Sequence, residues 1–392
     1  MQDLAVTFVD SITAIGPDDW NSLTGTDNPF MRYEFLHALE NTGCTNQRTG
    51  WQPRHVVVRR VNPSLDELVA VMPLYEKTNS YGEYVFDWAW ANAYQQYGYD
   101  YYPKFVTSAP FTPSTGRRLF HTDDVDTQAL IGLIKNAIEE RADFIRASSW
   151  HVLFPTEQEH ACFTDNDMLA RTACQFHWFN RDYQSFDDFL QTMSSRKRKN
   201  LKKERQKVTD AGITFKRLEG SEISDALWND FYTFYQSTYM MRGMQGYLSI
   251  EFFLEVAQTM PEQLFMVCAQ QGEHTIAAAL FFKGSKNLYG RYWGSAADYQ
   301  FLHFETCYYQ GQEYAIEHGY KLFDSGAQGE HKIQRGFEPV ITYSNHWIAD
   351  EAFRDAIARF LEEEKPHIER YRNEARSLLP FKSESVDLSK KP

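Results

Sequence analysis

The sequence predicts an α/β (α+β) protein of two tandem domains, each a mixed twisted sheet flanked by helices. Three observations predict it. At 392 residues the chain is too long for one ordinary core. Apolar runs of strand length alternate with longer runs of helical period. The order hairpin, third strand, helix, strand occurs once in each half, a parallel of element order and not of residue identity. The expected domains span 1–158 and 159–382, and the polar end 383–392 reads as a flexible tail.

The first half opens with a strand at 4–9, a helix around Trp20 and a helix at 33–41 behind the turn Asp27-Asn28-Pro29. Two β-type runs, 55–60 and 68–77, are joined as a hairpin by Asn62-Pro-Ser-Leu-Asp-Glu. A third strand is expected at 84–90, a helix at 91–97 and a strand at 104–109. Leu130, Ile131, Leu133, Ile134 and Ile138 recur at helical spacing and define a helix over 126–141. A strand at 150–154 closes the half. In the second half, strands are expected at 215–218, 264–270, 275–283, 288–294 and 321–324. Helices are expected at 226–238, 250–260, 303–318 and 351–371, and Gly319 is a natural stop for the third.

Formal net charge is −13, which disfavours a general nucleic-acid-coating protein. The charge is uneven. Residues 196–207 carry eight basic side chains and one acidic one, a local +7, so the rest of the chain stands near −20 (−13 minus 7). Five scattered cysteines without a C-x-x-C pair fit a reducing compartment and no disulfide framework. No zinc-ligand spacing is present, so no metal is expected. No apolar run approaches the ~18 residues of a membrane span. A cytoplasmic protein is the expectation.

Chemistry-bearing residues concentrate at Ser325-Gly-Ala-Gln-Gly-Glu-His-Lys332 and Arg335-Gly336, behind the apolar lead-in Leu322-Phe323. Glu330 or His331 suits a base, Lys332 and Arg335 suit a phosphate or carboxylate, and Gln328 suits a carbonyl. A solvated charge run is the plainer alternative; Gly326 and Gly329 argue for close backbone approach. On the strand Tyr289-Gly-Arg-Tyr-Trp-Gly294, alternation puts Tyr289, Arg291 and Trp293 on one face. They form either a substrate wall or core packing in which Arg291 pairs with a buried acid. His303 and Glu305 open a helix, where Glu305 either serves a substrate or neutralises the helix end. The basic helix 194–207, capped by Ser194-Ser195, points Arg196 and Arg198 at an anion or simply presents a solvated face. In the first half, Glu83 and Asp87 share one face of the expected third strand and suit an amine, or else pair with Lys77, Lys104 or Arg117.

Over roughly 15–370 the chain resembles the FemAB-like predicted N-acyltransferases of the GNAT superfamily. The matching pieces are Pro73-Leu-Tyr75, Ser80-Tyr-Gly-Glu-Tyr-Val-Phe-Asp-Trp-Ala-Trp90, Tyr101-Tyr-Pro-Lys104 and Pro110-Phe-Thr-Pro-Ser-Thr-Gly-Arg117. They continue with His151-Val-Leu-Phe-Pro155, Gln175-Phe-His-Trp178, Ser194-Ser-Arg-Lys-Arg-Lys-Asn200, Tyr289-Gly-Arg-Tyr-Trp-Gly294, Phe301-Leu-His-Phe-Glu305 and Gly326-Ala-Gln-Gly-Glu-His-Lys332. The resemblance implies tandem GNAT-like domains and transfer of an acyl or aminoacyl group to an amine, with a peptidoglycan-precursor-like peptide or small molecule as acceptor. From the residue chemistry, Glu330, His331, Arg291 and Lys332 are the expected catalytic residues, and no tightly bound cofactor is expected. Acyl-CoA or aminoacyl-tRNA is the co-substrate, the tRNA held by the basic helix. A non-catalytic recognition protein for cell-wall precursors or peptides is the alternative. The best candidates for the Q/R-x-x-G-x-G/A run that holds a pyrophosphate on backbone N–H groups, Gly116 beside Arg117 and Arg118 and the stretch from Gly294, are poor cradles, which counts against acyl-CoA.

Overall fold

The computed structural model describes residues 4–62, 65–327 and 329–382. The expected tail 383–392 lies outside them. The chain forms two compact units. Unit 1 takes the residues up to Thr26, then Phe30–Ala173 and Ile341–Arg370; unit 2 takes Asp27–Pro29, Cys174–Val340 and the residues from Tyr371 onward. The division therefore differs from a single cut at 158. Residues 341–370 join unit 1 because Ser344 to Ile348 pair with the strand Ser149–Leu153.

The strands, in chain order, are β1 (Leu4–Val9), β2 (Trp51–Pro53), β3 (His55–Asn62), β4 (Leu65–Met72), β5 (Tyr75–Lys77), β6 (Lys104–Thr107), β7 (Phe120–His121), β8 (Ser149–Leu153), β9 (Leu169–Phe179), β10 (Ile213–Glu219), β11 (Leu264–Gln271), β12 (His274–Lys283), β13 (Asn287–Ser295), β14 (Leu322–Asp324) and β15 (Glu338–Ile348). Unit 1 holds an antiparallel sheet β1-β3-β4-β7 and a mixed ladder β15-β8-β6-β5-β2 in which β6 and β8 are parallel. Between them pack Ile131, Ile134 and Ile138 of the helix Thr127–Ile145, against Val56, Val58, Phe105 and Trp150. Asp126 starts that helix by accepting from Ala129 N.

The expected third strand at 84–90 does not form. Gly82 and Tyr84 take positive φ (79° and 61°), which breaks an extended run, and the helix Trp88–Gln96 begins earlier than the sequence suggests. The long strands β9 and β15 are additional to the expected elements.

In unit 2, β10-β11-β12-β13 run antiparallel, β13 pairs parallel with β14, and β14 pairs antiparallel with β9. β11 and β12 are nearly continuous apolar runs because helices cover both faces. One face meets Phe323, Tyr309 and Tyr314; Tyr292 on the other meets the helices Asp225–Met240 and Ile250–Thr259. Each unit thus has one parallel strand pair linked through a helix, 127–145 in the first and 302–317 in the second. That is the structural form of the repeated element order.

Candidate active site

β13 and β14 part company early. Their pairing ends at Tyr289↔Asp324, so Gly290, Tyr292 and Trp293 are laddered to β12 alone. The ladder to β12 also slips there: Leu280 pairs with Tyr292 and Phe281 with Gly290, leaving Arg291 as the extra residue of a β-bulge. The bulge resets the faces. Gly290 and Trp293 look to one side, where a Cβ at Gly290 would meet Phe323 and Phe281 and where Trp293 packs on His303. Tyr292 and Gly294 look to the other, against Tyr235 and the backbone of Phe234. Strict alternation from Tyr289 is therefore corrected at Arg291.

A cavity of about 90 Å³ opens where the strands diverge. Its lining includes Ala279, Gly290, Arg291, His303, Tyr308 and Ser325. A second cavity, about 170 Å³, shares Arg291, Tyr292 and Trp293 and adds Tyr235, Tyr239 and Arg242. Arg291 stands at the junction, fixed by a buried two-pronged pair to Asp324 (Nη2–Oδ2 2.6 Å, Nη1–Oδ1 3.2 Å). Burial pushes the Asp324 carboxyl up, but Arg291 and then His177 outweigh it and hold it at about 2. Gly326 N adds a hydrogen bond to Oδ1 at 2.9 Å.

The helical wall contributes His303 and Tyr308. A π turn, Glu305–Tyr309, follows His303 and carries Tyr308, and both rings line the cavity. Burial holds the His303 imidazole down at about 3, reinforced by His331, Lys332 and Arg335. The Tyr308 hydroxyl lies 2.9 Å from His331 Nε2, within hydrogen-bond distance, and burial pushes its pKa up, so it stays protonated. His331 is exposed to solvent, yet partial desolvation against its neighbours, then Arg335 and Lys332, holds it at about 4. Behind it, the Lys332 ammonium is buried and donates to Ser325 O (3.0 Å) and Gly326 O (2.7 Å). Burial lowers it to about 7.

Unit 1 holds a second charged cluster. Lys104 Nζ donates to Glu83 (2.8 Å), Ser80 (2.8 Å) and Asp87, and Tyr101 donates to Asp87 at 2.6 Å. Lys77 lies over Trp51 and 3.9 Å from Glu83. Burial raises Glu83 to about 7 and lowers Lys77 to about 7, while Lys104 outweighs burial and holds Asp87 at about 2. Of the two sequence-level alternatives for Glu83 and Asp87, pairing with lysine is the one observed.

A family model described as FemAB-like, peptidoglycan biosynthesis/recognition, matches residues 11–383. The chain belongs to the FemAB-like family. No curated protein matches it. Among solved structures, this FemAB-like chain is similar to a conserved protein of unknown function from Bacteroides thetaiotaomicron (TM-score 0.51, 9% identity, 87% of this chain and 99% of that one). It is also similar to the C-terminal domain of a putative lysylphosphatidylglycerol synthetase from Agrobacterium fabrum (0.50, 11%, 90% and 94%). A crystal structure of FemX is similar as well (TM-score 0.49, 12% identity, 83% of this chain and 94% of that one). The fold class is the expected one, α/β, with two compact units of mixed sheet and helices. Family membership supports an acyl- or aminoacyltransferase in a peptidoglycan-related role. Among the described residues no helix is long and apolar enough to cross a membrane.

In this FemAB-like chain the cavity wall gathers Arg291, Trp293 and His303; Lys332 is buried nearby, and His331, exposed to solvent, meets Tyr308. Tyr289 lies under the Arg291 guanidinium, 5.1 Å from ring centroid to Cζ. Glu330 is not gathered: it is exposed and accepts from Tyr371 at 2.9 Å. Residues 330–335 form a 3₁₀ turn, and at three residues per turn Glu330, His331 and Lys332 must point three ways. Gln328 lies outside the described residues. Arg335 packs on Phe304 and pairs with Glu204 at 2.8 Å, tying the motif to the basic helix Ser195–Asp210. Glu305 is buried and held by Arg205 (2.8 Å) and Gln310 (2.7 Å), so it binds the scaffold rather than a substrate. Ser194 takes the N-cap position without a side-chain cap bond, Arg198 donates to Gln191, and Arg196 is exposed. Arg117 donates to Leu119 O and lies over Phe120, away from the acids it was expected to meet. Asp324 and Tyr308 were not expected. Asp324 directly precedes the motif, and its position at a strand end before two small residues is the signal that marks it.

Proposed function

We propose that the chain transfers an acyl or aminoacyl group to the amine of a peptidoglycan-precursor-like peptide in the cytoplasm. The observation that carries this reading is the cavity at the Arg291 bulge, with Tyr308 hydrogen-bonded to His331 on one wall. The amine nitrogen attacks the acyl carbonyl; a C–N bond forms as the C–O or C–S bond to the donor breaks. The amine proton passes to neutral His331 through Tyr308, and Tyr308 returns a proton to the leaving group. Arg291, immobilised by Asp324, is a fixed positive charge for the oxyanion. Of the two donors, aminoacyl-tRNA suits the chain better than acyl-CoA, because Arg196, Lys199 and Lys203 stay exposed on the basic helix.

Recognition without turnover is the second reading, favoured by Glu330 standing outside the cavity. The test is transfer of labelled acyl groups from acyl-CoA or aminoacyl-tRNA to a nucleotide-linked muramyl peptide, followed by mass. A labelled product that falls about 10²–10⁴-fold in Tyr308→Phe and His331→Ala supports transfer. Binding of the peptide with no product from either donor supports recognition and sinks the transfer reading.

A further inference from the structure

Segment 81–99 of unit 1 holds large rings in water. Tyr81, Phe86 and Trp88 are 53%, 57% and 41% exposed, and Tyr97 and Tyr99 are 75% and 56% exposed. Tyr81 and Trp88 meet edge to face with centroids 5.5 Å apart. On the helix Trp88–Gln96, Trp88, Asn92 and Gln95 follow i, i+4, i+7 and share the exposed face, while Trp90 and Tyr94 are buried. No charged residue occurs from 88 to 99, in a chain of which 24% is charged.

These rings are anchored from below. Tyr81 O accepts from Trp51 Nε1 (3.0 Å) and Lys77 Nζ (3.3 Å). Phe86 O accepts from Arg171 at 2.9 Å, and Asp87 is gripped by Lys104 and Tyr101. The buried ion cluster therefore acts on the surface: it fixes the segment that displays the rings. Rigid aromatic surface held in water marks an interaction site, and its rigidity lowers the ordering cost of binding.

Charge selects the partner. Nucleic acid, anionic lipid or a charged peptide would need counter-charges that this strip does not offer. Ring faces flanked by amides and phenols fit a sugar instead: its C–H faces stack on aromatic rings, and its hydroxyls pair with neutral donors and acceptors. We infer that segment 81–99 is a binding surface for a neutral glycan, a function of unit 1 that does not depend on acyl transfer by unit 2.

The full chain is titrated with an uncharged N-acetylglucosamine trisaccharide, followed by tryptophan fluorescence and calorimetry. Saturable binding is expected, weakened at least about tenfold by Trp88→Ala and by Phe86→Ala, and retained in Trp88→Phe. Circular dichroism confirms that each variant is folded, and Phe86→Ala carries the test should Trp88→Ala fail to fold. Three outcomes overturn the inference: no saturable binding of this sugar or of a neutral glucose trisaccharide at millimolar concentration, equal binding by the alanine variants, or the rings engaging anionic phospholipid vesicles instead.

Discussion

Lys332 places an ammonium where two carbonyls receive it and little water reaches it. Burial lowers its pKa to about 7, so between pH 7 and about 10.4 the unfolded chain binds a proton that the folded chain does not. Stability should therefore rise with pH across that window, by about 1.4 kcal/mol per unit at most. Urea midpoints at pH 7 and pH 9.5 check this: the difference should shrink in Lys332→Met and persist in Glu330→Gln. Asp324 has the opposite sign. Its folded pKa, about 2, lies below the usual carboxylate value near 3.9, so its contribution is complete above pH 4 and is lost as pH falls toward 2. Asp324→Asn leaves a buried guanidinium without its counter-charge and should cost about 3–5 kcal/mol at pH 7, measured by denaturant unfolding. A variant as stable as the parent would show that Arg291 needs no partner. His331 sets the rate profile. With its pKa near 4, kcat/KM should stay level on its acid side from pH 7 to about 5 and fall only below that. An acid limb near 6.5 would mean that the imidazole titrates freely and is not packed beside Arg335.

At the scale of elements, the β13 bulge is what turns a strand into a site. Gly294 follows it on the face toward the helix Asp225–Met240, and a Cβ there would stand 2.1 Å from the backbone of Phe234. Gly294→Ala must push the helix away or tilt the strand, at a cost of about 2–4 kcal/mol in a thermal or urea melt. Loss of under about 0.5 kcal/mol would show the helix free to shift. The elements most legible in the sequence were those whose signal is local. The hairpin β11–β12 announces itself by two apolar runs about a polar turn, and the helix Thr127–Ile145 by its spaced isoleucines. The bulge is not legible, because it is a relation of register between β13 and β12 and no residue type encodes it. β9 escaped because Arg171, Thr172 and Gln175 dilute its apolar pattern. The alternating aromatics of 81–90 imitate a strand, and only the positive φ at Gly82 and Tyr84 reveals a loop. The sequence left open whether Arg291 faces substrate or a buried acid, since Asp324 is 33 residues away and only the parallel pairing with β14 brings them together.

At the scale of the whole molecule, charge is distributed with a division of labour. The chain carries −13, yet eight basic residues crowd into 196–207. Folding assigns some of them to structure: Arg205 to Glu305 and Glu313, Lys202 to Asp187, Lys197 to Gln334 and Lys207 to Gln300. Among the described residues, Arg196, Lys199 and Lys203 have no ion pair or hydrogen bond, and all three are exposed. Their spacing, i, i+3 and i+7, puts them on one side of the helix. An acidic protein that keeps three cations on one face repels a polyanion everywhere else, so binding should be local and strongly salt-dependent. If aminoacyl-tRNA is the donor, log K against log salt should have a slope of about −2 to −3, one counterion per cation neutralised. Changing Arg196, Lys199 and Lys203 together to Glu should abolish tRNA binding in a filter or fluorescence assay, with the melting temperature unchanged because no native contact is removed. Arg205→Gln should do the reverse, lowering stability by leaving Glu305 buried and short of its main partner. Undiminished tRNA binding by the triple variant would move the donor site off this helix, and acyl-CoA would regain its place as the candidate donor.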